Sequence, residues 1–443
     1  MGMTGIEIYK LLPQTNCGDC GVPTCLAFAM KLAAGQTELA KCPHVSDESK
    51  AKLESASAPP VIPVTIGSFK TGGETVLFRH EKTFVSPTGI ALLVTDAMDE
   101  AELSRRLDSF ANLRYERVGR QLRADLLALR AERGDAAAFA SLVERCTATD
   151  ASLILMSEHP EILSAGAKAA AGKRPLLYPA TEVNADAVAA VAKEHGCPVG
   201  VRGNGIDEVI ALTQKLAAAG IKELVIDSGA RELRRAIDDQ IIIRRAAVKK
   251  AFRPLGYPTI TFPCEMGMDI IDETMAAAAL IAKYAGIVVL SDLAGESLFP
   301  LLVERMNIFT DPQRPMATEQ GIYPINNPGA DSPVLITTNF SLTYFIVSGE
   351  IEASRVPSWL LIMDTEGLSV LTAWAAGKFV GDTIASFVKK CGIADRVSHR
   401  SLVIPGYAAA VSGDLEEELE GWRIVIGPRE AAHLPAFLRE YRV

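Results

Sequence analysis

Short strand-like runs, each followed by a longer amphipathic stretch, recur through the middle of the chain. They are Ala91–Thr95, Leu113–Val118, Leu153–Ser157, Pro175–Tyr178, Pro198–Val201, Glu223–Asp227, Thr259–Phe262 and Gly286–Ser291. Most are unbroken apolar segments, too short for helices and without the alternation of a half-exposed strand. Parallel strands buried on both faces read this way. The stretches between them, such as Asp186–Glu194 and Glu208–Ala219, are rich in Ala and Leu at helical spacing. Eight strand–helix repeats predict a (β/α)8 TIM-like barrel over residues 91–325. A doubly wound sheet satisfies the same pattern, because strand order is not written in the sequence.

A loop rich in Pro, Gly and Asn, residues Pro312–Asp331, marks the next boundary. Beyond it, residues 326–443 carry strands at Val334–Thr338, Trp359–Asp364, Ser401–Pro405 and Arg423–Gly427. Helices are expected at Ser341–Glu352, Ser369–Lys390, Ala409–Glu420 and Arg429–Tyr441. This is an open, Rossmann-like α/β domain, and such sheets bind ligands at the carboxyl ends of their strands. The loops there (Thr337–Phe340, Thr365–Leu371, Gly406–Ala409, Gly427–Ala431) are built mainly from small residues, which admit a bulky ligand against the backbone. In the helix start SVLTAWAAGKF, Leu371, Ala373, Ala375 and Ala376 offer a flat apolar surface with Thr372 as its lone polar group. Small α/β loops also read this way with no ligand at all.

Before the barrel, Ile8, Leu11 and Leu12 form an amphipathic turn, and Thr24–Ala34 reads as a helix stopped by Gly35. A short polar helix at Asp47–Leu53 leads to the linker Ser55–Pro63, whose prolines favour an extended, semi-rigid spacer. Val64–Phe84 reads as a β-hairpin turning at Thr71-Gly72-Gly73. The expected divisions are 1–58, a linker and hairpin over 59–90, 91–325 and 326–443.

Composition narrows the function. The chain has 443 residues, 49% hydrophobic and 22% charged, with a net charge of -9. A negative balance argues against nucleic-acid or anionic-membrane partners, which need a basic face. Lys283 and Tyr284 interrupt the longest apolar stretch, and Glu7, Lys10 and Asn16 interrupt any leader-like start, so a cytoplasmic protein is expected. In a reducing compartment clustered cysteines mean metal rather than disulfides. Four of the eight cysteines, Cys17, Cys20, Cys25 and Cys42, follow C-x2-C-x4-C-x16-C. Soft thiolates at this density, ending in Cys-Pro, suit a [4Fe-4S] cluster; a small zinc module remains open. Cys146, Cys197, Cys264 and Cys391 are dispersed and read as buried apolar residues.

At the ends of the predicted barrel strands stand Asp96, Glu158, Arg202, Asn204, Asp227, Glu265 and Asp292, which could hold a polar substrate such as a pterin. They are also what a chain leaving a core looks like. HExxH, GxSxG and phosphate-loop motifs are absent, so the sequence does not make the barrel catalytic.

Three segments carry a resemblance: YKLLPQTNCGDCGVPTCLAFAMKLAAGQTELAKCP at 9–43, TTNFSLTYFIVSGEIE at 337–352 and DTEGLSVLTAWAAGKF at 364–379. With them the whole chain resembles the large (gamma) subunits of the corrinoid iron–sulfur protein of the acetyl-CoA decarbonylase/synthase system of anaerobes. The resemblance implies a methyl carrier of the Wood–Ljungdahl pathway. A methyltransferase passes a methyl group from a methyltetrahydropterin to cob(I)amide, and the group then goes to the nickel cluster of acetyl-CoA synthase. The [4Fe-4S] cluster, on Cys17, Cys20, Cys25 and Cys42, reactivates cob(II)amide. The implied partners are a small (delta) corrinoid protein subunit in a heterodimer, the methyltransferase and acetyl-CoA synthase. The resemblance places the corrinoid on Thr338, Asn339, Tyr344, Leu368, Ser369, Val370, Leu371, Thr372, Ala373, Gly406 and Leu434. The Asp-x-His-x-x-Gly pattern of many corrinoid domains is absent, and His399 and His433 read as surface or capping residues, so a base-off corrinoid without a histidine ligand is expected. Two other functions remain open: a pterin-dependent methyltransferase using Asn204 and Asp227, and a ferredoxin-like redox adaptor.

Overall fold

The computed structural model describes residues 4–33, 37–46, 49–50, 53, 59–267 and 269–442. Residues 47–48 and 51–52 of the expected helix Asp47–Leu53 and 55–58 of the expected linker Ser55–Pro63 lie outside them; the linker's described end is bonded to the first unit, through Val61 N to Glu74 O and Ile62 N to Gly256 O. The chain divides into two units, Met1–Leu113 with Ala124–Phe309, and Arg114–Arg123 with Thr310–Val443.

The first unit contains an antiparallel hairpin, β1 (Val64–Ile66) and β2 (Phe69–Thr71). It turns at Gly67-Ser68, with Gly67 at φ 55°, and not at Thr71-Gly72-Gly73 as expected. Strand β3 (Gly89–Thr95) follows. After an excursion through the hairpin β4 (Tyr115–Arg117) and β5 (Arg120–Leu122) come β6 (Leu126–Arg130), β7 (Ser152–Met156), β8 (Leu176–Ala180), β9 (Val199–Arg202), β10 (Leu224–Asp227), β11 (Ile260–Thr261) and β12 (Ile287–Leu290). From β3 and β6 through β12, each strand pairs in parallel with the next in the chain; β10 and β11 meet through the bridge Ile226–Thr259, and β12 returns to β3. These pairings make an eight-stranded barrel, so the doubly wound alternative falls. Strands β7 and β8 are buried at every residue, which accounts for their unbroken apolar sequences. Val64 and Ile66 of the hairpin join the core formed by Ala128, Ile154, Leu176, Val225 and Val289. Hydrogen bonds from Gly67 N to Arg174 O and from Phe69 N to Ser152 Oγ fasten it at the amino ends of the strands.

One expected barrel strand is corrected. Leu113–Val118 contributes β4, which pairs antiparallel with β5 across Val118 (φ 51°) and Gly119 (φ 78°). Positive φ at both central residues is the two-residue hairpin turn that matches strand twist. This hairpin belongs to the second unit, where Val118 O accepts from Glu319 N. The second barrel strand is β6, four of whose five residues are fully buried.

The second unit is a five-stranded sheet of β13 (Gly321–Ile325), β14 (Val334–Thr338), β15 (Ser358–Met363), β16 (Ser401–Ile404) and β17 (Arg423–Ile426), in the order β13-β15-β14-β16-β17. All pair in parallel except β13, an antiparallel edge strand. Because β13 belongs to this sheet, the break between units falls at Phe309/Thr310, ahead of the 325/326 boundary the sequence suggested. Pro324 is tolerated in β13 because an edge strand has one unpaired side. The expected helix Ser369–Lys390 is two helices, Val370–Ala375 and Gly381–Lys390. They part at Gly377 (φ 69°), whose N–H bonds Trp374 O while Lys378 N bonds Ala373 O.

Candidate cofactor sites

The sheet of the second unit changes direction between β14 and β16: β15 lies on one side of β14, and β16 and β17 on the other. That reversal is the position at which open α/β sheets bind ligands. The two strands are in register only at Leu335 opposite Val403. A cavity of about 460 Å³ opens there. Its floor is Leu335, Ile336 and Thr337 from β14 with Val403 and Ile404 from β16. One wall is the helix Ser341–Ser354, through Thr343, Ile346, Val347 and Glu350; the spacing i, i+3, i+4, i+7 is a single helix face. The turn at Tyr407 and the segment Gly427–Leu434 complete it. Ile346, Leu371 and Tyr407 line it and remain about half exposed. Such apolar surface in a concavity marks a binding site.

The floor carries a second signal. The Thr337 hydroxyl is buried without a hydrogen-bond partner. Buried hydroxyls are nearly always paired, so an unpartnered one on a residue of the cavity floor is unusual. A large, mostly apolar ligand with polar groups at its periphery fits this lining, and a corrinoid has that chemistry.

The residues expected to touch the corrinoid separate into groups. Ser369, Val370, Leu371 and Leu434 line the cavity. Thr372 is exposed, one turn beyond Ser369, with their hydroxyls 3.0 Å apart. Gly406 shapes the rim: a Cβ there would stand 2.6 Å from Gly427 O and 2.7 Å from Arg429 N, so only glycine allows the two loops to meet. Asn339 lies off the lining and latches the loop after β15. Its Oδ1 accepts from Thr365 N (3.0 Å) and Gly367 N (2.9 Å), and its Nδ2 donates to Asp364 Oδ1 (2.8 Å). Ala373 is fully buried with Leu361 and Phe379, so it cannot share an exposed apolar face with Leu371; Leu368 packs at the edge of the same core. Tyr344 packs against Tyr323 with ring centroids 5.2 Å apart and the rings tilted by 58°, off the cavity face of its helix. Thr338 is fully buried, its hydroxyl also unpartnered. Thr337, the neighbour of the expected Thr338, lines the cavity. Alternation along β14 was the available signal, since neighbours in a strand face opposite ways. His399 is bonded to Ser332 O and Ser401 N at the amino end of β16, and His433 caps the last helix.

The cysteine segment forms a small core of its own. Helix Gly5–Leu11 is closed by a capping box between Thr4 and Glu7, and Ile8 and Leu12 pack with Val22, Cys25, Phe28 and Ala29. Asn16 Oδ1 accepts the Cys25 N–H at 2.8 Å, fixing the start of helix Cys25–Ala33. Gly18 (φ 82°) and Gly21 (φ 76°) make the left-handed bends that bring the chain round. Cys20 and Cys42 pack against this core, Cys25 lies within it, and Cys17 is exposed. All four are free thiols. Three soft donors in or against one small core, with Cys17 exposed at the start of the same loop, have the donor chemistry of an iron–sulfur cluster. Beside Cys17, Asp19 Oδ2 lies 2.6 Å from His44 Nε2. Hydrogen bonds from His44 and then Cys17 hold the Asp19 carboxyl below its ordinary pKa.

At the carboxyl end of the barrel the charged residues neutralise one another. Asp227 is buried, accepting from Tyr178 OH (2.7 Å), Arg231 Nη2 (2.9 Å) and Gly229 N (2.8 Å). Arg231 and Arg130 both pair with Glu265. Burial first, then the Asp227 charge, pushes Tyr178 far above its ordinary pKa. Glu158 pairs with Arg202, Asp292 with Arg105, and Asp96 Oδ1 accepts two backbone amides. Asn204 lines an open concavity of about 780 Å³ with Glu158, Arg202 and Glu265. Asp227 has its acceptor capacity taken by internal donors, which counts against it as a pterin ligand.

The family model for the CO dehydrogenase/acetyl-CoA synthase delta subunit matches residues 64–438, and an Fe-S cluster model matches residues 12–44. The chain is 45% identical to the corrinoid/iron-sulfur protein large subunit of Moorella thermoacetica, over 99% of both chains. It is 36% identical to the acetyl-CoA decarbonylase/synthase complex subunit gamma of Methanopyrus kandleri, over 99% of this chain and 98% of that one. Among solved structures, dihydropteroate synthase from Thermus thermophilus is similar over 56% of this chain and 97% of its own, at 15% identity and a TM-score of 0.38, too slight a likeness to bear on function. An open α/β unit, a closed barrel and a cysteine segment matched by an Fe-S cluster model stand on one chain, and its curated relatives include corrinoid/iron–sulfur proteins. The chain belongs to the family of their large subunits, which includes the gamma subunits of acetyl-CoA decarbonylase/synthase complexes.

Proposed function

We propose that the chain is a methyl carrier, holding a corrinoid in the crevice between β14 and β16 and a [4Fe-4S] cluster on Cys17, Cys20, Cys25 and Cys42. The observation that carries this reading is the cavity at the sheet's reversal point, with apolar walls, half-exposed Leu371 and Tyr407, and the unpartnered Thr337 hydroxyl. When bound, the two groups supply methyl transfer at cobalt and one-electron reduction.

The protein's part is placement. Asn339 holds the loop Asp364–Gly367, and so sets where Ser369 and Leu371 stand. Ser369 and Thr372 would offer a bound corrinoid only hydroxyls, which are weaker donors to cobalt than an imidazole. Gly406 lets its loop meet the Gly427–Arg429 backbone on the facing side. In this reading the methyl group arrives from a methyltetrahydropterin through its methyltransferase and leaves for acetyl-CoA synthase. Cys17, Cys20, Cys25 and Cys42 would hold the group that supplies the electron. The names of the relatives support membership of such a multisubunit complex, with the small (delta) subunit as heterodimer partner.

The test is Cys20→Ala in the full chain, purified anaerobically. It is expected to lose iron and keep cobalt, to accept a methyl group when reduced chemically beforehand, and to fail to recover once its cobalt is oxidised. Equal loss of both activities would contradict the division of labour.

A further inference from the structure

The cysteine segment carries one polar contact between its two ends, made by half-exposed side chains. Asp19 stands between Cys17 and Cys20, and His44 follows Cys42 by two residues. Their 2.6 Å bond spans 25 positions and joins the two ends of the segment. The first end is also held by the Asn16 bond to Cys25 N and by Gly21 N bonding Gly18 O. Cβ atoms built at Gly18 and Gly21 would meet nothing within 4 Å, and Cys17 is the exposed member of the four thiols. Cys17 Sγ, an Asp19 oxygen and a His44 nitrogen lie within 4.8 Å of one another.

We infer that Asp19 and His44 are positioning residues for the iron–sulfur cluster, clipping the Cys17 end of the loop to the Cys42 end and setting the cluster's reduction potential. The inference rests on the iron–sulfur reading above. A ligating Cys17 is a thiolate and has no proton to give Asp19. The carboxylate then stands as a fixed negative charge beside an exposed ligand, where it opposes the addition of an electron. His44, donating to that carboxylate, draws its charge away from the sulfur. Partners beyond the direct ligands tune a metal centre in this way.

The two substitutions therefore act in opposite directions. In the anaerobically purified full chain, Asp19→Asn is expected to move the cluster's midpoint potential to a more positive value. His44→Phe is expected to move it to a more negative one. The double variant should lie close to Asp19→Asn alone, because His44 acts through the carboxylate. Potentials are read by electron paramagnetic resonance during a redox titration at one fixed pH, with iron and sulfide measured on each sample. Both variants should also release iron to a chelator several times faster than the parent. A parent that holds the cluster, with variants at its own midpoint, overturns the inference and leaves the iron–sulfur reading standing. So does iron loss with an unchanged midpoint in the clusters that remain, because that is a stability effect alone. A parent that binds no iron overturns both.

Discussion

Asn339→Ala separates a residue that organises the proposed corrinoid site from one that touches its occupant. Asn339 is 4% exposed, and three donors converge on its Oδ1: Thr365 N at 3.0 Å, Thr365 Oγ1 at 3.1 Å and Gly367 N at 2.9 Å. Its Nδ2 donates to Asp364 Oδ1 at 2.8 Å. Truncation leaves the two backbone N–H groups unpaired in a buried position. Each such group costs about 1–3 kcal/mol, and Thr365 Oγ1 is spared because it also reaches Leu368 O at 3.0 Å. The surface bond to Asp364 adds about 0.5 kcal/mol, and water entering the vacated space recovers part of the total. The net expectation is a loss of about 2–4 kcal/mol from the second unit. Urea unfolding followed by tryptophan fluorescence reads it, since Trp359, Trp374 and Trp422 all lie in that unit. Corrinoid retention should fall together with stability, because the loop presenting Ser369 and Leu371 loses its latch. A loss below about 0.5 kcal/mol, the range of ordinary surface substitutions, would refute the latch. Full stability with corrinoid binding abolished would return Asn339 to the role of a direct contact.

Thr337→Val removes the unpartnered hydroxyl at nearly constant shape; the ligand-free protein should gain about 1 kcal/mol in denaturant unfolding while retaining corrinoid less tightly, and unchanged retention would contradict the assignment. Gly119→Ala places a methyl at φ 78° and 2.4 Å from Tyr323 OH, so a loss of about 1–3 kcal/mol is expected in the thermal unfolding of the second unit. Arg244→Met leaves Glu74, 3.7 Å away and equally buried, without its counter-charge in the barrel unit. That should cost about 3–5 kcal/mol in the calorimetric unfolding of that unit, and a neutral result would show that the pair is dispensable.

The barrel was legible because burial on both faces leaves a mark on the sequence. Seven of the eight expected runs are barrel strands. The eighth failed on local preference. Leu113–Val118 has the aromatic and charged alternation of a strand and does form one, in a hairpin of the other unit, whereas Leu126–Arg130 reads as helix by its Leu and Ala. Only the barrel's closure decides between them. Strand β13 was hidden by Pro324 and by the loop-like residues around it. The long helix after Ser369 hid its break because Gly377 is tolerated by a helical pattern while φ 69° is not written in it. In the site, the loops were found from their small residues, but which face each side chain takes was not. Ala373 and Tyr344 point into packed layers, and Asn339 is spent on its own loop. The wall formed by Thr343, Ile346, Val347 and Glu350 was readable from helical spacing once the helix was known to stand over the crevice.

The central claim is that one chain carries two metal centres, and metal analysis of the anaerobically purified protein tests it most directly. Iron and cobalt measured on the same sample, with its absorption spectrum, should give one corrinoid and one [4Fe-4S] cluster per chain. Thr337→Val should lower the cobalt alone, and Cys20→Ala the iron alone. A purified protein that holds iron and takes up no cobalt when offered cobamide under reducing conditions would contradict the account.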